Sequence, residues 1–259
     1  DIGLGFFVVA DGMGGHNAGE VASHLAVQAV RDFVTESAAG TDLAWPFSYD
    51  PALSVDGNRL LTAVRLANRR IYQEGCAHAA FDGMGTTVVA VLARDDRAVM
   101  VSVGDSRIYR WRDSVLTQLT SDDTWLSTVM GLADDDRQGA SHPLKHVLTS
   151  VVGTREDVRP TVLEERLLPG DRLVLCSDGV HGRLDSQAIA AILCQGAPPE
   201  RQAEALVLDL CESFGLAKVT SCLDCRLSWA KGADGRMYPS IYQHPNEPAK
   251  GKGRVAYSV

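Results

Sequence analysis

Between Thr86 and Leu119 four short β-type runs follow one another with only short breaks, and this block constrains the fold more than any other stretch. The runs are Thr86 to Ala93, Ala98 to Val103, Arg107 to Trp111 and Val115 to Leu119. The turn-forming pairs Asp95-Asp96, Gly104-Asp105 and Arg112-Asp113 separate them, so the spacing predicts consecutive antiparallel strands. Upstream, the apolar run from Leu4 to Ala10 reads as a strand that stops at Asp11-Gly12-Met13-Gly14-Gly15. Asn17 precedes Glu20 by three residues, a capping-box-like spacing, and a helical pattern follows through Phe33. Residues 38 to 54 read as a loop and 56 to 75 as an amphipathic helix with Leu60, Leu61, Val64, Ala67 and Ile71 on one side. Downstream come a polar helix near 123 to 131, an acidic loop at Asp134-Asp135-Asp136, strands at Thr161 to Arg166 and Arg172 to Cys176, and helices over 185 to 194 and 199 to 213. Helices, a strand block, then more strands and helices predict an α+β domain rather than alternating βαβ units.

The chain has 259 residues, 45% of them hydrophobic, enough for one large domain with a buried core. That domain is expected over residues 1 to 213. Beyond it the charge balance turns from acidic to basic and no hydrophobic period is sustained, which predicts a poorly ordered tail over 214 to 259. The formal net charge of -8 argues against a nucleic-acid binder and leaves carboxylates for hard cations. No span approaches the roughly 20 apolar residues of a membrane helix. Six scattered cysteines suit a reducing, cytoplasmic setting better than a disulfide scaffold.

Four segments carry the chemistry: Ala10-Asp11-Gly12-Met13-Gly14-Gly15-His16, Gly83-Met84-Gly85-Thr86-Thr87, Val103-Gly104-Asp105-Ser106-Arg107 and Cys176-Ser177-Asp178-Gly179. In the first and last an apolar strand ends in Asp-Gly, which delivers a carboxylate at a sheet edge and lets backbone come close to a ligand. Carboxylates from separate strand ends are how a protein holds Mg²⁺ or Mn²⁺ together with water. Taken singly, Asp-Gly is usually a turn and Gly-Asp-Ser-Arg a tight hairpin.

All four segments in this order resemble the metal-dependent protein phosphatases of the type 2C family, and the glycine loop with His16 is similar to its bacterial members. The resemblance covers roughly residues 4 to 213. It implies a four-layer αββα sandwich, two antiparallel sheets flanked by helices. It also implies hydrolysis of phosphoserine and phosphothreonine in proteins by a water that bridges two metal ions, Mn²⁺ or Mg²⁺, with a possible third. Carried over residue by residue, Asp11 would bridge the ions, the Gly12 carbonyl would ligate one of them, and Asp178 matches the later metal aspartate. Leu119-Thr120-Ser121-Asp122 resembles the segment whose aspartate holds the third ion with Asp178, so Asp122 is expected to approach Asp178 while Asp123 faces solvent. Asp105 has a structural role by the same likeness, and Thr86 and Thr87 support a strand start. Acidic residues at 122 and 123 also suit a helix start, and His16 fits capping or packing as well as proton transfer. Met13 stands where eukaryotic members carry a histidine. Implied partners are phosphorylated proteins, a serine/threonine kinase and its substrates among them.

Two parts of the family pattern are missing from these residues. Its members carry an Arg and a Glu-Asp pair before the first strand, and no residue here precedes Asp1. They close with Asp-Asn-Val-Thr, whereas Ala217-Lys218-Val219-Thr220 stands at the matching place. Fewer anionic ligands weaken cation binding, so the alternative reading is an impaired pseudophosphatase that binds phosphoproteins or regulates another enzyme. Competing motifs are incomplete. The calcium-loop likeness at Asp134, Asp136, Gln138 and Gly139 has Lys145 at position twelve, Gly3-Leu4-Gly5 lacks a third glycine, and Cys222-Leu223-Asp224-Cys225 has no second pair. Lys250-Gly251-Lys252-Gly253-Arg254 reads as solvated tail.

Overall fold

The computed structural model describes residues 2–14, 18–40, 45–130, 147–213, 226–231 and 237–242. In chain order its elements are β1 (Phe6–Val9), β2 (Gly12–Met13), α1 (Ala18–Ala38), α2 (Val55–Ala77), β3 (Gly85–Thr86), β4 (Val88–Arg94), β5 (Arg97–Val103), β6 (Arg107–Arg112) and β7 (Val115–Gln118). A π-helical turn, Leu126–Met130, follows where a polar helix is expected. Then come β8 (Thr161–Arg166), β9 (Arg172–Cys176), α3 (Asp178–His181), α4 (Ser186–Cys194), α5 (Pro199–Ser213), β10 (Arg226–Lys231) and β11 (Met237–Tyr242).

Helix α1 runs past the expected end at Phe33 because Val34 continues the buried stripe of Ala22, Ala26 and Val30. Ser54 caps α2, its Oγ accepting the Gly57 N–H at 3.0 Å. The stripe expected on α2, from Leu60 to Ile71, is buried throughout. Asp185 caps α4 in the same way, taking the Ala188 N–H at 2.8 Å.

The four central runs do not form one meander. β4 and β5 pair through Asp95-Asp96 in a four-stranded antiparallel sheet of order β1-β4-β5-β8. β6 and β7 pair through Asp113-Ser114 in a three-stranded antiparallel sheet of order β7-β6-β9. Positive φ at both Asp113 and Ser114 matches the tight turn that suits twisted hairpins. The chain changes sheet at Gly104, whose φ is +97° and whose added Cβ would lie 2.7 Å from Thr87 Cγ2. A side chain fails there on both counts, conformation and space.

Strand alternation sorts the core. Val88, Ala90 and Leu92 of β4 pack with α1 and α2. Val89 and Val91 point the other way, into a cluster with Met100 and Ile108 that Leu173 and Leu175 of β9 complete. On the far side of β6 and β9, Tyr109 and Cys176 pack with Val180, Ile189, Ile192, Leu193 and Leu206 from the last helices. β10 and β11 pair antiparallel, Arg226 opposite Tyr242, inside the stretch expected to be tail. The aromatic and β-branched residues Trp229, Tyr238, Ile241 and Tyr242 favour strands over coil there. Among the described residues no helix is long and apolar enough to cross a membrane.

Candidate metal centre

Asp11 leaves the end of β1, and its backbone is gripped from both sides by two buried threonines. Its N–H donates to Thr87 Oγ1 at 3.1 Å, and its carbonyl accepts from Thr86 Oγ1 and from the Thr87 N–H, both at 2.8 Å. Thr87 Oγ1 also meets Ser106 Oγ at 2.7 Å, which ties in the turn between β5 and β6. Thr86 is held in turn by Val152, with N–H to carbonyl bonds of 2.9 Å in each direction. Asn68 fixes the loop around Val152 to α2: its Oδ1 accepts the Gly153 N–H at 2.7 Å and its Nδ2 donates to the Arg155 and Glu156 carbonyls. Position 11 is thus set by a buried hydrogen-bond network rather than by loop chance.

Gly12 pairs with Thr86 in the short β2–β3 ribbon. It lies so close to α1 that a Cβ on Gly12 would fall 1.9 Å from the Gly19 carbonyl oxygen. Glycine at 12 and at 19 lets the ribbon and the helix touch backbone to backbone.

Asp178 arrives from the other sheet. Arg107 of β6 pairs with Cys176 of β9, so Ser177 and Asp178 emerge alongside the Gly104–Ser106 turn. There the Asp178 carboxylate stands next to that of Asp11, within hydrogen-bonding reach, and the Ser177 side chain reaches Asp11 as well. Burial first, then the charge and contact of Asp178, push the Asp11 carboxyl up to about 7; Ser177 pulls it down and Asp105 adds a weaker push. Two crowded carboxylates that resist joint ionisation form an oxygen donor pair whose repulsion a dication would relieve. Among the described residues no three His, Cys, Asp or Glu side chains converge as a metal-holding group. Asp11 and Asp178 are a pair, which suits a hydrated ion that takes one or two carboxylates and fills its shell with water and substrate oxygens.

Asp122 has a charged partner of its own. It is buried, and Arg107 grips it with both Nε to Oδ1 at 3.0 Å and Nη2 to Oδ2 at 2.9 Å, while Gln118 Nε2 donates to Oδ1 at 3.3 Å. Burial works against the Arg107 charge, but Asp122 outweighs it and holds the guanidinium more firmly protonated than a free arginine. Arg107 Nη1 continues the chain to Tyr109 Oη at 3.0 Å. Burial pushes the Cys176 thiol up to about 12, with Arg107 opposing and the charges of Asp122 and Asp178 adding. Asp123, expected to face solvent, turns inward: its carboxylate takes the Gly104 N–H at 2.9 Å, and burial raises its pKa against that bond. The reason is the sheet change, which leaves the Gly104 N–H without a ladder partner and draws in the nearest acceptor.

His16, Asp134 to Asp136, Lys145, Ala217, Lys218, Cys222, Cys225 and the basic run at 250 to 254 lie outside the described residues. Sequence reasoning missed Ser177 against Asp11, Arg107 against Asp122, and His181, whose ring reaches the Asp105 carbonyl. The one available signal was spacing: His181 follows Asp178 by three residues, the same helix face.

A family model described as protein phosphatase 2C matches residues 3–210. The chain belongs to the protein phosphatase 2C family. It is 35% identical over 195 residues to the serine/threonine protein phosphatase PstP of Mycobacterium tuberculosis, a match that takes in 74% of this chain and 34% of that protein. The chain therefore spans about a third of the length of that relative. It is 30% identical over 224 residues to the protein phosphatase PhpP of Streptococcus pneumoniae, covering 85% of each. Among solved structures, the catalytic domain of PstP in complex with two manganese ions superposes with a TM-score of 0.63 at 32% identity, over 81% of this chain and 82% of that one. These type 2C neighbours share the mixed helix and sheet architecture.

Proposed function

We propose that this chain carries out metal-dependent hydrolysis of phosphoserine and phosphothreonine in proteins, with Asp11, the Gly12 carbonyl and Asp178 as its metal ligands. The observation that carries this reading is the convergence of the Asp11 and Asp178 carboxylates from two different sheets. Family membership and relatives named as serine/threonine phosphatases support it. Bound Mn²⁺ or Mg²⁺ would supply the charge that activates water and neutralises the phosphoryl oxygens. The protein's own part is positional. Thr86 and Thr87 fix the Asp11 backbone, Ser177 orients its carboxyl, and Gly12 admits the backbone approach that brings α1 against the loop. A third ion beside Asp178 would draw on Asp122, and would have to compete with Arg107 for it.

The three apolar clusters support a four-layer αββα arrangement, with α1 and α2 on one side and α4 and α5 on the other. Phosphorylated proteins are the proposed substrates, with a serine/threonine kinase and its targets as partners. Among the described residues Cys76, Cys176 and Cys194 are free thiols, which suits the cytoplasmic setting proposed here. Turnover of p-nitrophenyl phosphate and of a phosphothreonine peptide should require Mn²⁺ and stop with chelator. It should fall more than about a hundredfold in Asp11→Asn and in Asp178→Asn. Hydrolysis that survives chelation or either substitution would overturn the assignment.

A further inference from the structure

His181 closes α3, three residues after Asp178, and its Nε2 lies 2.9 Å from the Asp105 carbonyl oxygen. A carbonyl oxygen only accepts, so Nε2 carries the hydrogen and donates it. Helix α3 is a single turn, tied off by the Gly182 N–H on the Asp178 carbonyl at 2.8 Å and seated on buried Val180. Residues three apart share a helix face, so a tether at His181 acts on the turn that presents Asp178. The other end of the tether is firm. Asp123 holds Gly104, Thr87 holds Ser106, and that same Thr87 holds the Asp11 backbone.

We propose that His181 is a positioning residue of the metal centre. Its hydrogen bond to Asp105 fixes α3 against the β5–β6 turn, and so sets where Asp178 stands relative to Asp11. The two aspartates repel each other when both are charged, and α3 is too short to resist that push through its own backbone bonds. With the tether in place the pair is already arranged for a cation. Without it, binding must first order the turn. The inference rests on the reading of Asp11 and Asp178 as metal ligands, and the experiment separates the two.

Mn²⁺ binding would be measured by titration calorimetry on folded wild type, His181→Ala, His181→Gln and Asp178→Asn. We expect His181→Ala to weaken Mn²⁺ binding about tenfold, as removal of outer-sphere partners does. His181→Gln, which keeps a side-chain N–H donor, should recover most of the loss. At saturating Mn²⁺ the KM for p-nitrophenyl phosphate should stay at the wild-type value, because His181 contacts no substrate in this reading. If His181→Ala does not fold, His181→Gln against His181→Met carries the same comparison, with the donor kept in one and lost in the other. Wild-type Mn²⁺ affinity in the donor-less variant, with affinity lost in Asp178→Asn, would overturn the role of His181 alone. Wild-type affinity in Asp178→Asn would overturn the metal-ligand reading and this inference with it.

Discussion

Arg107 and Asp122 form a charged pair in which both side chains are nearly solvent-free, 7% and 4% exposed. Removing one partner strands the other charge in a medium that cannot hydrate it, so Asp122→Ala should cost about 3–5 kcal/mol. Urea unfolding measures this directly, and Arg107→Met with Asp122→Leu together should recover much of it, since an apolar pair carries no desolvation penalty. Asp171 shows the same chemistry near the surface. Its carboxylate accepts from Arg112 Nε at 2.8 Å and from the Leu168 N–H, and the Arg112 bonds lead in pulling its pKa down to about 2. An unfolded aspartate titrates at about 3.9, so the pair's contribution is complete above about pH 4 and is lost as pH falls toward 2. Asp171→Asn should therefore lower the urea midpoint most at pH 5 and above, with the gap to wild type closing between pH 4 and 2.

The elements meet where glycine lets them. A Cβ at Gly104 would meet Thr87 side-chain carbons at 2.7 and 2.9 Å while holding a φ of +97°. Gly104→Ala should destabilise by about 1–3 kcal/mol and loosen the Thr87 bond to Asp11. A drop in the urea midpoint together with a raised Mn²⁺ requirement for p-nitrophenyl phosphate turnover checks both effects. The bounds of β8 and β9 are legible from residue type, because Pro160, Pro169 and Gly170 flank apolar alternation. The division of four successive strands between two sheets is not, since alternation reports which face is buried and not what covers it. Nor does local pattern show that Asp122 has Arg107 as its partner: the pair forms only once the β6–β7 hairpin brings residue 122 back across residue 107. Asp11 and Asp178 are legible as strand-end carboxylates, but their adjacency depends on how the two sheets sit together, which the family likeness supplies and spacing does not.

At the scale of the whole molecule, the two carboxylates of the proposed site follow strands of different sheets, Asp11 just after β1 and Asp178 just after β9. A cation held between them is therefore a cross-link as well as a catalyst, spanning most of the domain's sequence with one ionic rivet. Anything that binds the folded state alone stabilises it by mass action, about 2.7 kcal/mol at a hundredfold excess over Kd. The melting temperature should then climb with Mn²⁺ concentration, fall on adding EDTA, and become insensitive to both in Asp178→Asn. Between those limits the supply of free divalent metal would govern how long the protein survives proteolysis, so that metal starvation would shorten its lifetime as well as silence its chemistry.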